Sequence, residues 1–220
     1  MTRKLNFART GGLAAIGFAV LIVLANLVLV PAGLPLTGAE TGDVVAFFTA
    51  HAGITGIGTA VIPLAWVLAT VFGAAAVAVL WPAERERGDA WSLVGFAGLL
   101  LQNATFASVV AIRLALGLDP DAPLWPLHDA LFTLNGTFLA LALTGLSLAG
   151  RRTGLLAAWH GRLGLVAAAL LFASATLTPL VIEAEGPLGL LGLAGWLLWV
   201  GWLVGYGVTL LRLPGQRDRR

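Results

Sequence analysis

Apolar residues along this chain fall in long unbroken runs, not in alternation. Six stretches are rich enough in Leu, Val, Ala and Gly to be membrane spans, at about residues 11–30, 53–80, 90–116, 127–148, 163–182 and 188–211. A helix crossing the hydrocarbon core needs about 20 apolar residues at 1.5 Å rise per residue. Barrel strands would instead alternate in polarity over roughly 10 residues, and this chain has no such pattern. Backbone groups in hydrocarbon must be satisfied within the segment. The runs therefore predict an all-α fold, a polytopic transmembrane helix bundle of about six spans that forms a single transmembrane domain over residues 1–220.

Punctuation between the runs adds detail. The first span is flanked by Arg3, Lys4 and Arg9 and closed by Pro31. Thr37-Gly38-Ala39 loosely resembles a signal cleavage site. The apolar run is longer than the usual signal core of about 7–15 residues, however, which predicts a retained helix. Residues 31–52 form the longest connection. Within it, Asp43 is placed as the N-cap of a short amphipathic turn, VVAFFTAH, lying at the interface and leading into span two. Pro63 predicts a kink or tilt in that span, and Trp81-Pro82 its end. Trp81, Trp91, Trp125 and Trp159 sit at span ends, as an aromatic belt requires.

Composition strengthens the membrane reading. Hydrophobic residues make up 59% of the 220 and charged residues 11%, with a mean hydropathy of +0.93; a soluble domain carries about 25% charged residues. The net charge of +2 comes from basic residues scattered over short connections, a distribution that excludes a nucleic-acid-binding face. Twelve arginines against the single Lys4, with abundant Ala, Gly and Leu, point to a GC-rich genome. The absence of Cys excludes disulfides, thiolate metal sites and thiol nucleophiles. A retinal Schiff base is excluded too, because Lys4 lies outside the spans. Ser147, in GLSLA, mimics a rhomboid-type nucleophile, but span six holds no His to serve as its base.

Charge also orients the chain. With the N-terminus inside, 12 of the 13 basic residues fall on cytoplasmic segments and Arg113 alone on the other half. Glu40, Asp43, Asp119, Asp121, Asp129, Glu183 and Glu185 fall outside. The positive-inside rule then predicts both termini cytoplasmic, and the chain reads as a bacterial inner-membrane protein.

Ionisable groups inside a span cost about 2.5–3.5 kcal/mol at the bilayer centre on insertion scales and are candidate functional groups by default. At 100° per residue, Gln102, Thr105 and Arg113 share one stripe of span three, with Asn103 off it near mid-membrane. In span four Asp129, Thr133, Gly136, Ala140 and Ser147 share a small polar face, and His128 and Asn135 a neighbouring one. Arg113 and Asp129 lie about one turn below the same surface, which predicts a direct salt bridge. Asn103, Arg113, His128, Asp129 and Asn135 are the candidate lining of an externally open cleft between spans three and four. Trp199, near mid-membrane in span six, is a candidate wall for an apolar ligand, and Gly201 and Gly205 a helix-packing GxxxG. The three histidines show no H-x-x-x-H-type spacing and read as interfacial anchors, so neither a metal nor a cofactor is expected.

The stretch Leu127–Ala175, LHDALFTLNGTFLALALTGLSLAGRRTGLLAAWHGRLGLVAAALLFASA, combines a half-polar span, a tight R-R turn, a Trp and G-x-L-G-L-V-A-A-A. Together with DVVAFFTAHAG before span two, it resembles uncharacterised bacterial six-helix integral membrane proteins catalogued as a domain of unknown function. The resemblance implies architecture and membrane location, and no activity or site.

The expected partners are the lipid bilayer and a small lipophilic or anionic ligand. The leading role is binding or moving such a molecule through the cleft. A structural or accessory protein without turnover is the alternative, and an intramembrane enzyme or a metal- or haem-binding protein the third. Reporter fusions after residues 88, 152 and 216 should all report cytoplasm; a periplasmic signal at any of them breaks the topology.

Overall fold

The computed structural model describes residues 6–121, 123–183 and 186–213, and every regular element among them is helical. α1 spans Phe7–Leu29, α2 Thr41–Arg87, α3 Trp91–Leu118, α4 Trp125–Arg152, α5 Ala158–Thr176, α6 Thr178–Val181 and α7 Gly189–Arg212. Six of them are long and apolar enough to cross a membrane, α2 through its Thr59–Arg87 portion. The protein is an all-helical, multi-pass bundle.

Several boundaries differ from those expected. Asp43 does not cap α2: Glu40 holds the N-cap position without a side-chain bond, and Asp43 lies in the first turn, where its charge suits the helix dipole. The break in α2 falls at His51 (φ −123°, ψ 24°), not at Pro63. There the segment Thr41–Ala50 turns into the span, its Phe47 ring stacked on His51 at 4.9 Å. Helical dihedrals continue through Pro63 and Pro82 to Arg87, because a proline inside a membrane helix is tolerated where neighbours re-satisfy the freed backbone. The Trp159–Arg162 stretch is the opening of α5, not an interfacial connection. That helix stops at Thr176 because Pro179 follows, lacking an N–H and disfavouring helix before it.

Each long helix packs on its sequence neighbour, and α7 closes the ring against both α5 and α1. Gly12, early in α1, meets the backbone of Gly207, late in α7, so both described termini emerge at one end. Arg85, Arg87, Arg151, Arg152 and Arg212 end their helices there. The main core fills the ring with Phe18, Phe72, Leu143, Leu146, Trp199, Trp202 and Tyr206. A second, smaller core at the far end joins Val44, Phe47 and Phe48 of α2 to Leu116 and Trp125. Trp125 is therefore buried, not a belt residue, with Phe48 edge-on at 6.1 Å.

Lipid tails are as apolar as Leu, so helices in a membrane associate by close van der Waals packing, which favours small residues at their contacts. α3 and α4 meet this way. A Cβ on Gly98 would lie 2.5 Å from the Ala142 nitrogen and 2.8 Å from the Phe138 oxygen, and Gly145 sits directly on the Gly95 backbone. Gly201 and Gly205 do not act as a pair: nothing lies near Gly201, while Gly205 makes room for the His160 ring of α5.

These two kinds of glycine predict opposite outcomes. Gly98→Val should destabilise the protein by about 1–3 kcal/mol through overpacking, whereas Gly201→Ala should be neutral or stabilising by up to about 1 kcal/mol through helix propensity. Denaturant unfolding in detergent measures both. Equal effects would contradict the packing described.

Candidate functional site

The far-end polar site starts from the antiparallel register of α3 and α4. Arg113 stands five residues before the end of α3, and His128 and Asp129 lie in the opening turns of α4. The Arg113 Nε–H donates to His128 Nε2 at 2.9 Å. A guanidinium nitrogen can only donate, so His128 Nε2 is bare and the ring proton sits on Nδ1. That proton is donated to Asp129 Oδ1 at 2.9 Å. Asp129 Oδ2 in turn accepts the backbone N–H of Gly38 at 2.8 Å. Three separate segments are thus tied by one chain of hydrogen bonds: α3, α4 and the α1–α2 connection.

This arrangement corrects the expected Arg113–Asp129 salt bridge. The face of α4 turned to Arg113 is that of His128, and the imidazole intervenes between cation and carboxylate. His128 and Asp129 are each only 2% exposed, so neither is an interfacial anchor. The imidazole is also clamped flat, with Trp125 stacked at 4.1 Å and 11° and Phe132 at 5.9 Å and 6°. Arg113 lies 5.9 Å over the Phe132 ring. Spacing of three and four residues puts Trp125, His128 and Phe132 on one helical face, which builds the stack locally.

The other predicted residues are distributed more widely. Asn103 faces α2, and its Nδ2 donates to the Trp66 carbonyl at 3.4 Å and to Thr70 Oγ1 at 3.3 Å. Asn135 is buried in α4, one of several polar groups (Gln102 and Asn103 among them) whose amide oxygens have no hydrogen-bond partner among the described residues. Trp199 is buried at 4% exposure and packs edge-to-face on Phe18 at 5.6 Å. Arg113, His128 and Asp129 thus converge, whereas Asn103, Asn135 and Trp199 lie elsewhere. His160 is likewise buried, its Nε2 bonded to the Trp202 carbonyl at 2.9 Å. Among the described residues no group of three or more His, Asp and Glu side chains is placed to hold a metal.

Two recesses lie between α2 and α3. A groove of about 570 Å³ opens sideways and is lined by Pro63, Trp66, Val67 and Thr70 of α2 and Leu100 and Asn103 of α3. Nearer the far end, Arg113 and Val110 face Thr55, Thr59 and Ile62 across a cavity of about 20 Å³. The α2 residues 55, 59, 62, 66 and 70 follow helical spacing, as do Leu100, Asn103, Val110 and Arg113 on α3. Groove and cavity therefore lie along one seam. Sequence reasoning passed over Trp66, which carries no polar pattern, and Gly38, which lies 91 residues from its acceptor.

No protein-family model, curated protein or solved structure matches this chain.

If His128 carries the link, Arg113→Ala and Asp129→Ala should couple by about 0.5–3 kcal/mol in a double-mutant cycle, and the coupling should vanish in a His128→Ala background. Coupling that survives His128→Ala would restore the direct pair.

Proposed function

We propose that this protein is a bacterial inner-membrane binding protein for a lipophilic small molecule, held in the seam between α2 and α3, with both termini in the cytoplasm. The orientation rests on arginine placement: the end where the termini emerge carries the basic residues, and the far end carries Glu40, Asp43, Asp119 and Asp121.

One observation carries the binding reading. The α2–α3 groove is a shallow recess open to the side, with apolar walls and a few polar groups at its base. Val67 is 57% exposed and Leu100 42%, so the groove opens toward hydrocarbon and a lipophilic molecule enters it from the bilayer. A purely structural role predicts no such recess, since helices that only brace one another meet as closely as α3 and α4 do. Ion conduction is disfavoured because the centre of the ring is filled by Phe72, Trp199, Trp202 and Tyr206.

A photoreactive long-chain alcohol tests this reading. Crosslinks in purified protein should map to the α2–α3 groove, saturate, and be competed by unlabelled alcohol. Ala104→Trp, which fills the groove, should lower labelling about ten-fold while leaving thermal stability unchanged. Unsaturable labelling spread over all lipid-facing helices would refute it.

A further inference from the structure

The cavity at the upper end of the seam bears on what head the lipophilic ligand carries. Arg113 is held by its Nε hydrogen bond and by the Phe132 ring it lies over, and its two Nη nitrogens make no hydrogen bond among the described residues. The same side chain lines the small cavity with Leu34, Thr55, Thr59, Ile62 and Val110. Both threonine hydroxyls donate to backbone carbonyls, Thr55 to His51 at 3.1 Å and Thr59 to Thr55 at 2.7 Å. The cavity is thus walled by apolar groups and committed hydroxyls, with one cation that has unused donors.

Holding a guanidinium at this depth is costly, and a latch between helices could be built from neutral groups. The partner that orients Arg113 is itself neutral: His128 offers only a lone pair, and the Asp129 charge is spent on the imidazole N–H and the Gly38 N–H. His128 and its backing thus fix the guanidinium by one corner and leave its other donors free. Among the described residues Arg113 is also the one Lys or Arg toward the far end of the bundle, while Asp119 and Asp121 nearby are solvent-exposed and screened.

We propose that the α2–α3 seam selects single-chain lipophilic acids, the carboxylate paired with the free side of Arg113 and the chain running down to the Trp66–Asn103 groove. Planar, bidentate pairing with a carboxylate is what a guanidinium does best. Size sets the class. A cavity of about 20 Å³ is roughly that of one water; it admits the tip of a carboxylate and excludes a phosphate head. Arg113 and Asn103 are ten residues apart on α3, about 15 Å along the axis, a span that a long alkyl chain covers and a short acid does not. The inference rests on the binding reading above, deepening it to a headgroup.

The test compares three photoreactive probes of one chain length, ending in a carboxylate, an alcohol and an amine, on the full-length protein at neutral pH. The acid should bind at least about ten-fold more tightly than the alcohol, and the amine more weakly than either. Arg113→Gln should remove the acid's advantage and leave alcohol labelling of the groove intact. Because Arg113→Gln also cuts a structural link, Leu34→Glu provides a second route: it places a carboxylate beside the cavity without touching Arg113 or His128, and should abolish the same preference. Equal binding of acid and alcohol, or an acid preference that survives both variants, overturns the headgroup proposal and leaves the groove standing. Labelling of the groove by neither probe overturns both. A lysophosphatidate probe that outcompetes the acid would overturn the size argument.

Discussion

Close approach between helices is the constraint on which this bundle rests. In water an apolar helix face is driven onto its neighbour; in hydrocarbon it is already solvated, and only tighter contact than lipid can offer favours association. That contact forms where side chains are missing. Gly95, Gly98 and Gly145 bring the α3 and α4 backbones together, and Gly12 and Gly207 close α1 on α7. The Thr70–Trp66 and Leu100–Asn103 faces carry no such seam, and there the helices part to leave the groove. Where Gly95, Gly98 and Gly145 line up, α3 and α4 close on each other.

Polar groups follow a second rule, that none is left bare in hydrocarbon without cost. The Arg113–His128–Asp129–Gly38 chain answers it by alternating donors and acceptors. It spends one charge of each sign and holds the α1–α2 connection over the far end of the bundle. Its aromatic clamp of Trp125 and Phe132 keeps the imidazole flat, and Phe48 seals Trp125 from above. Glu84 obeys the same rule at the other end, where both carboxylate oxygens accept from the backbone N–H of Ser92 at the start of α3. Ser147, Trp202 and Tyr206 are a counterpoint: their polar atoms are enclosed among the central rings without hydrogen-bond partners among the described residues, a cost that the aromatic packing around them must offset.

The two ends of the protein therefore differ in kind. The end bearing the termini is fastened by exposed arginines, with Arg152 paired to Asp89 at 2.7 Å, set over the Trp91 ring, and its carbonyl accepting from Arg87. Exposed pairs of this sort contribute little stability. The far end is fastened by buried hydrogen bonds, which are specific in geometry and leave one cation only partly used.

Fold class and span number were legible in the residue order, because hydropathy over about 20 residues acts through the bilayer and needs no partner. The candidate residues Arg113, His128 and Asp129 were legible for the same reason, as polar groups in oily runs. Their connection was not: which face of α4 meets α3 depends on the glycine seam, and that put the His128 imidazole between two charges expected to touch. The open seam was misplaced as well, to spans three and four, because helical spacing shows which residues share a face but not which neighbour that face meets. Gly38, Trp66 and Phe48 became part of the site only when residues tens of positions apart were packed together, and that is a decision of three-dimensional contact alone.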